Sequence, residues 1–77
     1  MTFEYGRLKG RIVEKFGSQK AFAQKIGCAE ATITKKLNNF VNFDTEEIVL
    51  WCDSLDIDYA DIPSYFFVLC VQKNEQQ

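Results

Sequence analysis

The stretch Gln19-Lys20-Ala21-Phe22-Ala23-Gln24-Lys25-Ile26-Gly27-Cys28-Ala29-Glu30-Ala31-Thr32-Ile33-Thr34-Lys35-Lys36-Leu37 decides the fold. Its apolar residues fall at helical spacing on either side of a glycine: Phe22, Ala23 and Ile26 before Gly27, Ile33 and Leu37 after it. Ser18 carries an oxygen that can accept from a free N–H of the first turn, so it caps a helix of about two turns. Gly27 tolerates the left-handed conformation that closes that helix. After the three-residue turn Gly27-Cys28-Ala29, a second helix runs from Glu30 until Asn38-Asn39 stops it, with Ala31, Thr34 and Lys35 turned outward.

Upstream, Tyr5, Leu8, Ile12 and Phe16 recur at three- and four-residue steps, placing them on one side of a helix whose other side carries Arg7, Arg11 and Lys15. Gly17 ends it. Downstream, Phe40, Val41 and Phe43 are expected to fold back as an apolar lid on the core. Asp44 and Glu47 have the spacing of a reciprocal cap, and Ile48, Trp51, Cys52 and Leu55 form the buried stripe of a fourth helix. A fifth helical stretch is expected from Asp58, with a break or kink near Pro63. Phe66 to Val71 is aromatic and β-branched with no helical polar face, so it reads as a strand or extended arm. Such a strand needs a mate: it lies across its own helices or pairs with a second copy through Phe67, Val68, Leu69, Cys70 and Val71. Asn74 to Gln77 is expected to fray. The expectation is an all-α chain, a five-helix bundle over residues 1–66 with a C-terminal strand, arm and tail over 67–77.

A chain of 77 residues holds one hydrophobic core. A domain so small buries only about 60% of its extended-chain surface, so a partner or second copy is expected to help it. Cys28, Cys52 and Cys70 are odd in number, too far apart for a paired metal site and without any histidine, which argues against disulfides, zinc and other metals. An EF-hand loop begun at Asp56 would put Asp61 where glycine is required and Phe67 where the bidentate glutamate belongs. No histidine, phosphate-cradling glycine loop or activated nucleophile points to catalysis or a cofactor. Met1 to Lys15 is charged throughout and no apolar run approaches the ~20 residues of a membrane span, so a reducing cytoplasm is the expected location.

The net charge of −2 conceals a division along the chain. Up to Asn38, Arg7, Lys9, Arg11, Lys15, Lys20, Lys25, Lys35 and Lys36 outweigh Glu4, Glu14 and Glu30, for a balance of +5. Beyond it, Lys73 faces Asp44, Glu46, Glu47, Asp53, Asp56, Asp58, Asp61 and Glu75, for a balance of −7. A polyanion would meet the first half only.

A helix-turn-helix DNA reader needs a small residue where its helices cross, a glycine in the turn, and a second helix pinned by apolar residues while its outer side stays polar. Ala23, Gly27, Ile33 and Leu37 supply these in order. The chain also resembles the Cro/repressor type of phage regulators with the lambda-repressor-like five-helix fold, and within it the small Cro-like and modulator-of-repression proteins of temperate phages of Gram-positive hosts. The resemblance lies in Tyr5 to Ile12, Phe16 to Ala23, Lys36 to Asn39, Glu47-Ile48, Tyr65 to Phe67 and Val71 to Lys73. It implies that Gln19, with Lys20 beside it, touches a phosphate or anchors a neighbouring side chain, at a helix start suited to phosphate. It further implies that Glu30, Ala31 and Lys35 face base edges, Thr32 and Thr34 flank them, and Asn38 and Asn39 touch the backbone of duplex DNA. A homodimer would then set two such helices in successive major grooves, about 34 Å apart.

This chain departs from that pattern at Ala29, where Ser or Thr commonly caps the reading helix, and at Glu30, which repels phosphates unless it reads a base. A second reading follows: an antirepressor or co-repressor acting in a hetero-complex with another phage repressor. The acidic second half fits that role.

Overall fold

The Ser18 hydroxyl accepts from the Ala21 N–H at 3.1 Å, and the helix it starts ends at Gly27, whose φ of 80° is a conformation few other residues hold without strain. The computed structural model describes residues 2–70. Within them the order is α1 (Gly6–Phe16), α2 (Gln19–Ile26), α3 (Glu30–Leu37), α4 (Thr45–Leu55), a single 3₁₀ turn over Tyr59–Asp61, and α5 (Ile62–Phe66). Gly17, at φ 85°, turns the chain from α1 into α2. The reciprocal cap at α4 forms as its spacing predicts: Asp44 Oδ1 accepts from the Glu47 N–H at 2.8 Å, and Glu47 Oε1 accepts from the Asp44 N–H at 3.0 Å.

All five helices contribute to one core. Leu8 and Ile12 of α1, Phe22 and Ala23 of α2, Ile33 and Leu37 of α3, Trp51, Cys52 and Leu55 of α4, and Tyr65 and Phe66 of α5 are buried together. Removing a side chain such as Leu8 or Ile33 from water contributes about 1.5–3 kcal/mol. Phe43 lies among them edge-on to three rings, with centroids 4.7 Å from Trp51, 5.2 Å from Phe66 and 5.5 Å from Tyr5. Such edge-to-face pairs add about 0.5–1.5 kcal/mol each to simple burial.

The expected lid is therefore Phe43 alone. Phe40 is 79% exposed and Val41 41% exposed. Both of their N–H groups donate back to the Lys35 carbonyl, which holds them in a tight turn beyond α3 with their side chains in solvent. The expected break near Pro63 falls just before it, between the 3₁₀ turn and α5. Pro63 lies in the first turn of α5, where a helix has no use for the missing N–H. Phe66, read with the following strand, is the buried last residue of α5.

The short extended segment after α5 has a mate within the chain. Glu4 N–H donates to the Val68 carbonyl at 2.6 Å, Cys70 N–H donates to the Thr2 carbonyl at 3.0 Å, and Phe3 and Leu69 stand opposite as an antiparallel bridge. The other edge of Phe3 is closed by Asn39, whose side-chain Oδ1 accepts from the Phe3 N–H and whose Nδ2 donates to the Phe3 carbonyl, both at 2.8 Å. Val71, and the tail from Asn74 to Gln77, lie outside the described residues.

Three basic residues of the first half hold the helices together. Arg11 donates from Nε to the Leu55 carbonyl at 2.8 Å and from Nη2 to the Asp56 carbonyl at 2.7 Å, satisfying carbonyls left free at the end of α4. Lys15 pairs with the Asp56 carboxylate. Lys36 is buried at 5% exposure, with Nζ 2.8 Å from Glu47 Oε2 and 3.2 Å from the Asn42 carbonyl.

Removing one partner of a buried pair strands the other, and the Glu47 side chain also caps α4. Because that side chain is 31% exposed, the full penalty is discounted, and Glu47→Ala is expected to cost about 2–4 kcal/mol in urea unfolding. Lys36→Met, which removes the buried charge and keeps the volume, should cost about 1 kcal/mol or less. Equal losses would mean that Lys36 does not depend on Glu47. The hydrogen bond from Lys15, then its charge and that of Arg11, hold the Asp56 carboxyl below the ordinary aspartate range. A depressed folded value means that the pair's contribution is present above the unfolded value and is lost as pH falls through the folded one. Carbon-detected NMR titration should find the Asp56 midpoint low in the native chain and back in the ordinary range in Lys15→Met.

Candidate functional site

The first turn of α2 and the outer side of α3 form one surface, tied by a cross-helix hydrogen bond. Thr34 Oγ1 donates to Gln19 Oε1 at 3.2 Å. That bond fixes the amide plane of Gln19 at the start of a helix, where N–H groups and the helix dipole favour an anion. Lys20 stands beside it, exposed. Along α3, Glu30, Ala31, Thr34 and Lys35 are exposed and Thr32 is half-buried, while Ile33 and Leu37 anchor the inner side. Asn38 is exposed at the end of the helix.

Asn39 lies apart from these residues. Its backbone is left-handed, φ 67°, and its side-chain amide is engaged with Phe3. Lys36 likewise faces inward, bonded to Glu47. Of the four lysines between Gln19 and Leu37, Lys20, Lys25 and Lys35 are exposed and Lys36 is not. The inward position of Lys36 was readable from the sequence: it lies three residues after Ile33 and one before Leu37, on the side those residues bury. Arg11, three residues after Leu8 and one before Ile12, carries the same signal. On α1, Arg7 lies over the Tyr65 ring, its guanidinium carbon 4.6 Å from the centroid.

Ala29 has no side-chain oxygen, and α3 starts without a side-chain cap. Glu30 then has a structural role besides any contact with a ligand: an acid in the first turn interacts favourably with the helix dipole. Cys28, in the turn, and Cys52, in α4, are held in the thiol form. Burial pushes both up, with Glu47 adding to it at Cys28 against the opposing Lys36, and Asp53 adding to it at Cys52. Neither is an activated nucleophile.

Of the residues expected to join two copies, Phe67, Val68, Leu69 and Cys70 lie in the terminal ribbon and Val71 lies outside the described residues. Phe67, Val68 and Leu69 expose 51%, 39% and 49% of their surface, and Cys70 is exposed beside them. Their backbone pairing is with Thr2 to Glu4 of the same chain, so the lack of an internal mate no longer argues for a second copy. Among the described residues no helix is long and apolar enough to cross a membrane, and no group of three or more His, Cys, Asp or Glu is placed to hold a metal ion.

With this geometry in hand, comparison with known proteins places the chain. Its structure is similar to the solution structure of the modulator of repression (MOR) of the temperate bacteriophage TP901-1 from Lactococcus lactis, with a TM-score of 0.77 and 40% sequence identity. The match covers 87% of this chain and 90% of that one. No curated protein matches the sequence. The family model described as "Protein of unknown function (DUF739)" matches residues 1–68, and the chain belongs to that family.

Proposed function

We propose that the protein is a regulator of a temperate-phage repression switch that works in complex with a repressor, its α2–α3 surface adding contacts to duplex DNA. The observation behind this reading is the small number of free cations on that surface. Lys20, Lys25 and Lys35 are exposed, Lys36 is paired inside, and Glu30 opposes them. Proteins that hold duplex DNA firmly at physiological salt make about 6–10 phosphate contacts, and each contact adds roughly −0.9 to the salt slope. Three lysines in one copy fall short of that, and two copies would only reach its lower end. The likeness to a modulator of repression supports a regulatory role exercised on a repression system.

A second reading retains autonomous, sequence-specific DNA binding of the Cro/repressor type. The exposure of Glu30, Ala31, Thr34 and Lys35 along one side of α3, with Gln19 locked to Thr34, favours it. In this reading residues 1–66 carry the DNA contacts from Gln19, Lys20, Glu30, Ala31, Thr32, Thr34, Lys35, Asn38 and Asn39. The arm of residues 67–77 carries homodimer contacts through Phe67, Val68, Leu69, Cys70 and Val71.

Titrating the full chain into labelled phage operator DNA near physiological salt, with and without the cognate repressor, separates the two. The proposal expects a discrete complex containing this protein only when the repressor is present. Tight binding to one operator by the protein alone, with base preference relaxed by Lys35→Ala and uniform weakening by Lys20→Ala, would overturn it in favour of the second.

A further inference from the structure

We propose that the outer side of α4 is the docking surface for the partner protein, and that it takes a cationic helix with apolar residues at its centre. This deepens the complex-forming reading above and rests on it. Glu46, Val49, Leu50 and Asp53 fall at steps of three, one and three residues, which puts them on one helix face, and all four are exposed. Val49 is 38% and Leu50 45% exposed, whereas Trp51, Cys52 and Leu55 on the opposite side are buried. Tyr59 extends the strip: it is 52% exposed, and its hydroxyl donates to Asp53 Oδ1 at 2.7 Å.

Charge selects the occupant. Every charged residue between Asp44 and Asp61 is an acid. Several have internal duties: Glu47 pairs with Lys36, Asp56 pairs with Lys15, and Asp44 and Asp58 accept backbone N–H groups as caps. Glu46, Asp53 and Asp61 form no ion pair among the described residues. Glu46 in the first turn gains from the helix dipole, and Asp53 accepts from Tyr59. Neither role accounts for two adjacent aliphatic residues left in water between them. An apolar centre with a carboxylate toward each end, along a helix of about 16 Å, complements an amphipathic helix whose flanks are basic. Such a rim steers the approach and rejects acidic partners, while Val49, Leu50 and Tyr59 supply the dry contact.

The test measures repressor binding by the full chain, and in parallel binding of a synthetic helical peptide with a leucine stripe flanked by lysines. Glu46→Lys/Asp53→Lys and Leu50→Ser, each checked for an unchanged melting profile, are expected to weaken both interactions about tenfold or more. The control Val13→Ser/Glu14→Lys, on the exposed side of α1, should leave them within about twofold, as rim or unrelated positions do. Raising the salt should weaken the native chain and have much less effect on the charge-reversed one. If the native chain binds repressor and the α4 variants bind it equally well, the docking surface is wrong and the complex-forming reading stands. If the native chain does not bind repressor, that reading fails, and the peptide decides the surface: equal affinity of native and variant chains for it overturns the proposal.

Discussion

The buried Lys36 ammonium, bonded to the Glu47 carboxylate and the Asn42 carbonyl, is the contact that decides how α3 is seated and which of its cations face solvent. It joins the inner side of α3 to the first turn of α4 across the loop that carries Phe43. Glu47 serves it while also closing the cap of α4, so one carboxylate sets both the start of that helix and the seat of α3. The Lys36 ammonium lies 5.6 Å from the Phe43 ring centroid, against the aromatic cluster it helps enclose. A charge placed there cannot also reach a phosphate. The same residue that fixes α3 thus lowers the number of cations α3 can offer to DNA.

The pattern recurs on α1. Arg11 reaches the last carbonyls of α4, Lys15 holds Asp56 at its end, and Arg7 covers the Tyr65 ring. The division of the sequence into a basic and an acidic half is therefore partly a device of folding. α1 clamps the end of α4 through bonds from Arg11 to backbone carbonyls and one charge pair, Lys15 with Asp56, contacts that span some forty residues of chain. What remains on the surface is modest on the α2–α3 side and distinctly acidic on the outside of α4. The likeness to a modulator of repression of a temperate phage supports a phage regulatory role for a chain built this way.

Helical spacing, capping residues and turn glycines make α1 to α4 readable from the sequence, because each is a local rule, whereas the fifth stretch is divided into a 3₁₀ turn and the short α5 that takes in Phe66. Ser18, Gly27, Asp44 and Glu47 do what their types and positions predict. The features that escaped are those where two distant segments meet. Thr2 to Glu4 is too short to show a period, so nothing marked it as the mate of Val68 to Cys70. Asn39 looked like a helix stop with a spare amide, and its engagement with Phe3, thirty-six residues away, has no local signature. Hydrophobicity alone would bury Phe40 and Val41, but the turn after α3 decides where they point. Lys36 and Arg11 carry a signal of their inward position in their spacing from Ile33 and Leu37 and from Leu8 and Ile12. The outer residues of α3 lie on an exposed surface as the pattern required, and what they touch is a question of chemistry that spacing alone does not answer.

The central claim, that Arg11, Lys15 and Lys36 serve the fold and are withheld from any polyanion, is tested most directly by the salt dependence of association with a non-specific DNA duplex, measured at low ionic strength where weak binding is visible. With Lys20, Lys25 and Lys35 as the contacts of the α2–α3 surface, the logarithm of the association constant should fall with the logarithm of salt at a slope of about −3 for each copy bound. A slope steeper than about −6 for each copy would contradict the claim, because Arg7, Lys9 and Lys73 added to those three account for about −5 at most, and more would require Arg11, Lys15 or Lys36 to leave their partners and neutralise phosphates.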